Sequence, residues 1–169
     1  LEDGNLTSRQ LDEIAELFKK IAEENGGAGE ATILGFGGKY PALYAAAANG
    51  GMAHTLDFDD TIPETGHQSA GTLPATLAAA EYMGGISGKD FLAAMVVASD
   101  TVIRLQLALR EDAQKTGWYT PPVMGALGAS LGVGKLFGLD EGQMMDCLTL
   151  AQNQAIVSAE LVNSSVSIL

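Results

Sequence analysis

Cysteine is nearly absent from this sequence: Cys147 stands alone, so no intrachain disulfide can form, which suits a reducing compartment. Lying in an apolar helical stretch, that thiol reads as core filling rather than as a nucleophile. Basic residues are also scarce. Nine Lys and Arg stand against 21 Asp and Glu, a formal net charge of −12, and such a surface repels a phosphate backbone or an anionic membrane. Nucleic acid and membrane are therefore not expected as partners. By the same reasoning, an anionic substrate would need the few basic residues gathered locally, or cations supplied from other chain or from a partner subunit. Uninterrupted apolar runs such as Phe91 to Ala98 fall short of the ~20 residues a membrane span requires, and no basic-then-apolar leader opens the chain. These absences point to the cytoplasm. The termini, Leu1 and Leu169, carry neither an initiating Met nor a helix-stop signal, and both read as cuts. What the chain does have is apolar bulk: 47% hydrophobic residues and 18% charged, the composition of a globular domain and not of a disordered one. At 169 residues one domain with a sizeable core is expected.

Hydrophobic spacing predicts helices almost throughout. Thr7 with Gln10 forms a capping-box pattern, and Leu11, Ile14, Leu17, Phe18 and Ile21 recur at helical spacing until Asn25-Gly26 closes the element. Its opposite face is charged, as in an amphipathic surface helix. Ala31 to Leu34, followed by Gly35, Gly37 and Gly38, reads as a short edge strand or plain extended chain. Pro41 suits the start of a helix over Ala42 to Ala48, which Asn49-Gly50-Gly51 interrupts. Further helices are predicted from Leu73 to Met83, from Phe91 to Leu109 behind a Ser87/Asp90 cap, from Val123 to Phe137, and from an Asp140/Gln143 capping box to about Val157. The first half of the Phe91 helix is apolar on most sides, which implies burial. Residues Arg110 to Thr116 read as a loop, and Gly125, Gly128, Gly132 and Gly134 as a stripe that lets two helix backbones approach. The expected fold class is all-α: a multi-helix, bundle-like single domain with little or no strand.

One stretch concentrates ionisable groups outside solvated helix faces. It runs from Ala53 through His54, Asp57, Asp59, Asp60 and Thr61 to His67, and holds both histidines of the chain. Three carboxylates within four positions repel one another unless a cation or hydrogen-bond donors compensate, and enzymes make acid and base from like groups in this way. The same residues equally allow a plain reading in which Asp59 and Asp60 cap a turn and His54 is a satisfied helix residue. Metal ligation is the third possibility, since His and Asp are common ligands. A calcium loop of the EF-hand type fails, because counting from Asp57 places Ile62 where Gly is required and Gln68 where Glu is required. No metal is expected.

The run Asn49-Gly50-Gly51-Met52-Ala53-His54-Thr55-Leu56-Asp57-Phe58-Asp59-Asp60-Thr61, then His67, Pro74-Ala75 and Ala79-Ala80-Glu81, resembles the signature of the MmgE/PrpD family, the 2-methylcitrate dehydratase group. Gly88 to Ala94, Arg104, Gly138-Leu139-Asp140 with Gln143, and Ala151 fit the same family in the same order. The resemblance implies an all-helical large domain, paired in complete members with a smaller α+β domain, and assembly as a homodimer. It implies a lyase, 2-methylcitrate dehydratase-like, that acts on a small di- or tricarboxylate by moving a proton at carbon without metal or organic cofactor. Epimerase and decarboxylase activities occur in the same family. By position, Asp57 and His67 match acid/base residues, and Thr61 a donor to a substrate carboxylate. Tyr119 stands where dehydratase and decarboxylase members commonly carry His; a phenol with an ordinary pKa of about 10 donates a proton but is a poor base at neutral pH. That departure leans toward an epimerase-like or unassigned branch. Trp118 and Tyr119 can equally be a packed aromatic pair at a helix entrance. Arg104 is a candidate substrate-binding cation, although Asp100 four residues earlier offers it a simpler ion pair. A second departure is Gln68, where the family usually has Pro, which predicts a looser loop. The resemblance also implies catalytic lysines and a further histidine beyond this stretch, so the polypeptide as given is expected to be inactive. From another class, the chain could be a non-catalytic helical dimerisation module built on its Gly-rich helices.

Overall fold

The computed structural model describes residues 5–63, 65–109 and 117–156, without the side chains of residues 5–8 and 10. Within these residues the all-α expectation holds. Six helices follow one another: α1 (Asn5–Asn25), α2 (Ala42–His54), α3 (Ser69–Met83), α4 (Gly88–Ala108), α5 (Thr120–Leu136) and α6 (Glu141–Gln154). Between α2 and α3 lies a two-residue antiparallel ribbon, β1 (Thr61–Ile62) against β2 (Gly66–His67).

The amphipathic pattern of α1 resolves as expected: Ile14, Ala15 and Ala22 are buried while Arg9 and Glu13 pair on the solvent side. Its predicted cap at Thr7 and Gln10 lies outside the described side chains. After α1 the chain extends, and the suspected edge strand amounts to a single bridge, Ala31 to Tyr40, closed around the glycine turn. Ile33 in this segment is wholly buried against the α1–α2 seam, with Ala15, Ala45 and Ala48 in the same cluster.

Helix α2 does not stop at Asn49-Gly50-Gly51 as its sequence suggested; it runs on to His54. Packing supplies what propensity lacks. The Asn49 amide accepts from Leu34 N at 2.9 Å and donates to the Thr32 carbonyl at 2.8 Å, tying the helix to the extended segment. A methyl group on Gly50 would sit 3.2 Å from the Ala70 carbonyl oxygen, and one on Gly51 3.0 Å from Ile14. The Ala70 carbonyl is one to which Pro74, lacking an N–H, cannot donate the usual helical bond. These glycines therefore mark close helix contacts and not a break. Helix α3 in turn begins at Ser69, four residues ahead of its predicted start.

The glycine stripe of α5 behaves as expected. Gly125 faces Gly71 of α3, and a methyl group on Gly128 would approach the Ala98 carbonyl oxygen to 2.6 Å; one on Gly132 would approach the Ala98 side chain to 2.8 Å. Helix α4 is capped by Ser87, whose hydroxyl accepts from Asp90 N at 3.1 Å. The expectation that its first half is buried on most sides fails. Only Ala94, Ala98, Val102 and Gln106 are buried, along the stripe that meets α5, whereas Leu92 and Val96 are 64% and 66% exposed. Among the described residues α4 is also the one helix long and apolar enough to cross a membrane by length and composition; the short uninterrupted runs of the sequence concealed this, because Asp100 and Arg104 divide the helix. Helix α6 carries the predicted capping box, with Gln143 N to Asp140 at 2.9 Å and Asp140 N to Gln143 at 3.0 Å. The Cys147 thiol is partly buried and faces the Ser130 carbonyl at 3.6 Å, at the α5–α6 seam. The predicted loop from Arg110 to Thr116 and the end of the last predicted helix at Val157 lie outside the described residues.

Candidate active site

The α2–α3 pair positions the ionisable cluster. His54 is the last residue of α2, and Thr55 closes the helix by donating its hydroxyl to the Gly51 carbonyl at 2.6 Å. The chain then reverses at Asp57, the one described non-glycine residue with positive φ, +54°, a conformation that short polar side chains such as Asp tolerate best. The ribbon carries it back, with Thr61 opposite His67, and α3 begins two residues later. Because α2 packs on α3, the two ends of this excursion meet: the His54 and His67 rings stand edge to face, their centroids 4.9 Å apart and their planes at 71°.

The three aspartates take separate places. Asp59 is the buried one, its side chain 8% exposed, and it lies between the histidines: His54 Nδ1 is 3.1 Å and His67 Nδ1 3.2 Å from its Oδ1. Asp57 is 77% exposed and touches the other nitrogen of the same ring, His67 Nε2 to Oδ1 at 3.1 Å. Asp60 turns away and accepts from Ser69 N at 3.0 Å, holding the start of α3. Of the two caps suggested by the plain reading, Asp60 is one and Asp59 is not. The His67 ring stands between Asp57 and Asp59, one nitrogen facing each carboxylate. Thr61 is exposed, its hydroxyl 3.5 Å from His67 Nδ1, so it borders the group without bonding strongly into it.

Gln68 overturns the expectation of a loose loop. Its side chain is buried, 2% exposed, and its amide donates to the Thr65 hydroxyl at 2.9 Å and to the Gly66 carbonyl. Where proline would restrict one dihedral, glutamine ties the turn internally. Tyr119 is the residue before α5 and is partly buried. Burial pushes its phenol above the ordinary tyrosine value, and the charges of Asp57 and Asp59 push it further, so Tyr119 shares the electrostatic surroundings of the cluster. Trp118 beside it is half exposed. Arg104 donates to Asp100 on its own helix at 2.6 Å, in the open, with its side chain 76% exposed; this is the ion pair its spacing suggested.

His54, Asp57, Asp59 and His67 present ligand-type atoms that all lie within 4.8 Å of one another, near enough to share a cation. Within the group His54 Nδ1 and Asp59 form a hydrogen bond, and His67 lies at ion-pair distance from Asp57 and Asp59. Sequence reasoning placed all four residues in one cluster but gave roles only to Asp57 and His67, and left the linking parts, Asp59 and His54, without one. The available signal was that both histidines and the middle aspartate fall within one short excursion between two helices.

Comparison with known proteins places this geometry in context. The model of the MmgE/PrpD N-terminal domain matches residues 5–167. Cis-aconitate decarboxylase of Aspergillus terreus is 32% identical over 133 residues, 75% of this chain and 27% of that protein. The human cis-aconitate decarboxylase is 30% identical over 154 residues, 88% of this chain and 31% of that protein. The mouse cis-aconitate decarboxylase is 33% identical over 121 residues, 69% of this chain and 25% of that protein. The matched part thus spans between a quarter and a third of these curated relatives.

Proposed function

The chain belongs to the MmgE/PrpD family, and on that premise we propose that it carries the acid/base part of a lyase site for a small di- or tricarboxylate. The observation that supports this reading most directly is His67 held between two aspartates, with Asp57 Oδ1 at 3.1 Å from its Nε2 on the exposed side. An imidazole nitrogen and a carboxylate oxygen at that separation are close enough to pass a proton, and such a pair can deliver it to a substrate carbon or take it away. Both reactions considered for the family need that capability. Dehydration removes a proton from carbon and expels hydroxide from the neighbouring carbon; decarboxylation releases carbon dioxide and places a proton on carbon. General acid/base groups of this kind contribute roughly 10²- to 10⁴-fold.

The hydro-lyase reading, 2-methylcitrate dehydratase-like, came from the signature residues; the relatives found by comparison are named cis-aconitate decarboxylases, which favours cis-aconitate as the first substrate to try. Tyr119, whose phenol remains protonated at neutral pH, fits the donor role and not that of base. Cations to hold the substrate carboxylates come, in this reading, from chain beyond the described residues or from a second subunit of a homodimer, and no cofactor takes part. The test is to incubate the full-length protein with cis-aconitate, 2-methylcitrate and iminodisuccinate in deuterium oxide. Deuterium entering carbon, with loss of carbon dioxide or water, is the expected result, and exchange without either would indicate epimerisation. Absence of exchange and turnover with all three acids would refute the acid/base reading and favour a non-catalytic helical module.

A further inference from the structure

We propose that Asp59 and His54 are positioning residues that fix the tautomer of His67, so that its Nδ1 keeps a proton and its Nε2 does the exchange. The inference rests on the proposed function and assigns a task to two residues that the signature positions leave without one.

Asp59 is almost wholly enclosed, and an ionised carboxylate in that setting must be met by donors. The described donors that reach it are the two imidazoles: His54 Nδ1 lies 3.1 Å and 3.2 Å from its two oxygens, and His67 Nδ1 lies 3.2 Å from Oδ1. His54 presents Nδ1–H to Asp59 in hydrogen-bonding geometry, and His67 Nδ1 lies at ion-pair distance from the same enclosed carboxylate, whose charge favours a proton on the nearer ring nitrogen. For His67 this leaves Nε2 as the variable nitrogen, and it faces Asp57 Oδ1. Either tautomer leaves one ring lone pair facing a carboxylate, and the burial of the two aspartates decides between them: Asp57 is 77% exposed and can be served by water, whereas Asp59 is 8% exposed and needs the protein's own donors. His54 completes the device. By spanning both Asp59 oxygens it sets the angle of the carboxylate, and its ring, edge to face with His67, limits how that ring can tilt. The arrangement has the logic of an aspartate orienting a catalytic histidine, in which replacing Asp by Asn traps the wrong tautomer.

The experiment measures steady-state turnover of the full-length protein on the acid found by the deuterium test, beginning with cis-aconitate. In Asp59→Asn the amide can donate to Nδ1 and stabilise the wrong tautomer, so kcat is expected to fall at least a hundredfold with KM within about twofold; in a Ser-His-Asp triad the same change costs about 10⁴. His54→Leu removes the donor that orients Asp59, and a ten- to hundredfold loss in kcat is expected. His54→Asn places an amide N–H where Nδ1–H stood and is expected to recover most of that loss, which a purely space-filling role would not predict. If His54→Leu fails to fold, Asp59→Asn and His54→Asn carry the test, each checked by its unfolding midpoint. Parental kcat in Asp59→Asn and His54→Leu, with His67→Gln inactive, overturns the tautomer proposal and leaves the acid/base reading standing. Parental turnover in His67→Gln overturns both. A folded His54→Asn as slow as His54→Leu overturns the hydrogen-bonding role of His54.

Discussion

Asp57 joins backbone geometry to chemistry, and substitutions there can separate the two. Its φ of +54° lies in the left-handed region, which costs an ordinary residue roughly 1–2 kcal/mol and which Asn, Asp and above all Gly adopt more readily. Its side chain is mostly exposed, and its contact with His67 is a single ion-pair distance of 3.1 Å; exposed pairs of this kind contribute at most about 1 kcal/mol. Asp57→Asn keeps the tolerance for positive φ and loses only the charge, so folding stability is expected to fall by less than about 1 kcal/mol. In Asp57→Gly, relief of strain opposes the greater chain entropy of the unfolded state, and stability is expected to stay within about 1 kcal/mol of the parent. Asp57→Ala has neither compensation and should be the least stable of the three, by about 1–2 kcal/mol. All three should depress turnover alike, by roughly 10²- to 10⁴-fold. Urea unfolding followed by far-ultraviolet circular dichroism, alongside turnover of the full-length protein, reads both effects. The reasoning is refuted if Asp57→Asn is as unstable as Asp57→Ala, or if turnover follows the order of stability and not the loss of the carboxylate.

Gly128→Ala should destabilise by about 1–3 kcal/mol through overpacking, since its methyl group would lie 2.6 Å from the Ala98 carbonyl; Gly88→Ala, whose methyl group meets nothing within 4 Å, should not, and parallel thermal melts make the comparison. Glu81 is raised by burial but lowered more by its hydrogen bonds to Lys39 and to Thr32 N, and its net pKa lies below the ordinary 4.5. Its stabilising effect is therefore complete above that ordinary value and is lost as pH falls through the depressed one. Glu81→Gln should cost about 1 kcal/mol at neutral pH and flatten this part of the acid-unfolding curve. Tyr119→Phe should lower turnover roughly 10²-fold if the phenol donates a proton. By ultraviolet difference titration against that variant, the Tyr119 phenol should ionise above the ordinary 10.0.

Much of the architecture was written in local signals: the Ser87 and Asp140 caps and the apolar stripe of α1 each specify an element without help from the rest of the chain. The error at Asn49-Gly50-Gly51 arose because a helix can retain poor formers when a buried amide and close backbone contacts hold them. The exposed face of α4 was misread because an apolar face states only a preference for burial, and what lies against it is a matter of tertiary arrangement. At the site, Asp57 and His67 were legible from the signature, but Asp59 was indistinguishable from its neighbours. Which of three nearby carboxylates turns inward follows from the path of the chain between α2 and the ribbon, where Asp57 takes a positive φ, and no composition or spacing encodes that path directly. Gln68 was misjudged for a related reason: a loop can be stiffened by a side-chain amide as well as by a ring.

The two histidines are mounted on opposite members of one joint, His54 at the end of α2 and His67 two residues ahead of α3, with Asp59 as the pin between them. A helix rises about 1.5 Å per residue, so slippage of α2 along α3 by one residue would stretch contacts of 3.1 Å and 3.2 Å beyond hydrogen-bonding reach. Gly50, where an added methyl group would lie 3.2 Å from the Ala70 carbonyl oxygen, thus acts as a gauge block for the proposed proton-handling group, and bulk added there is expected to register as slower chemistry even though no reacting atom is touched.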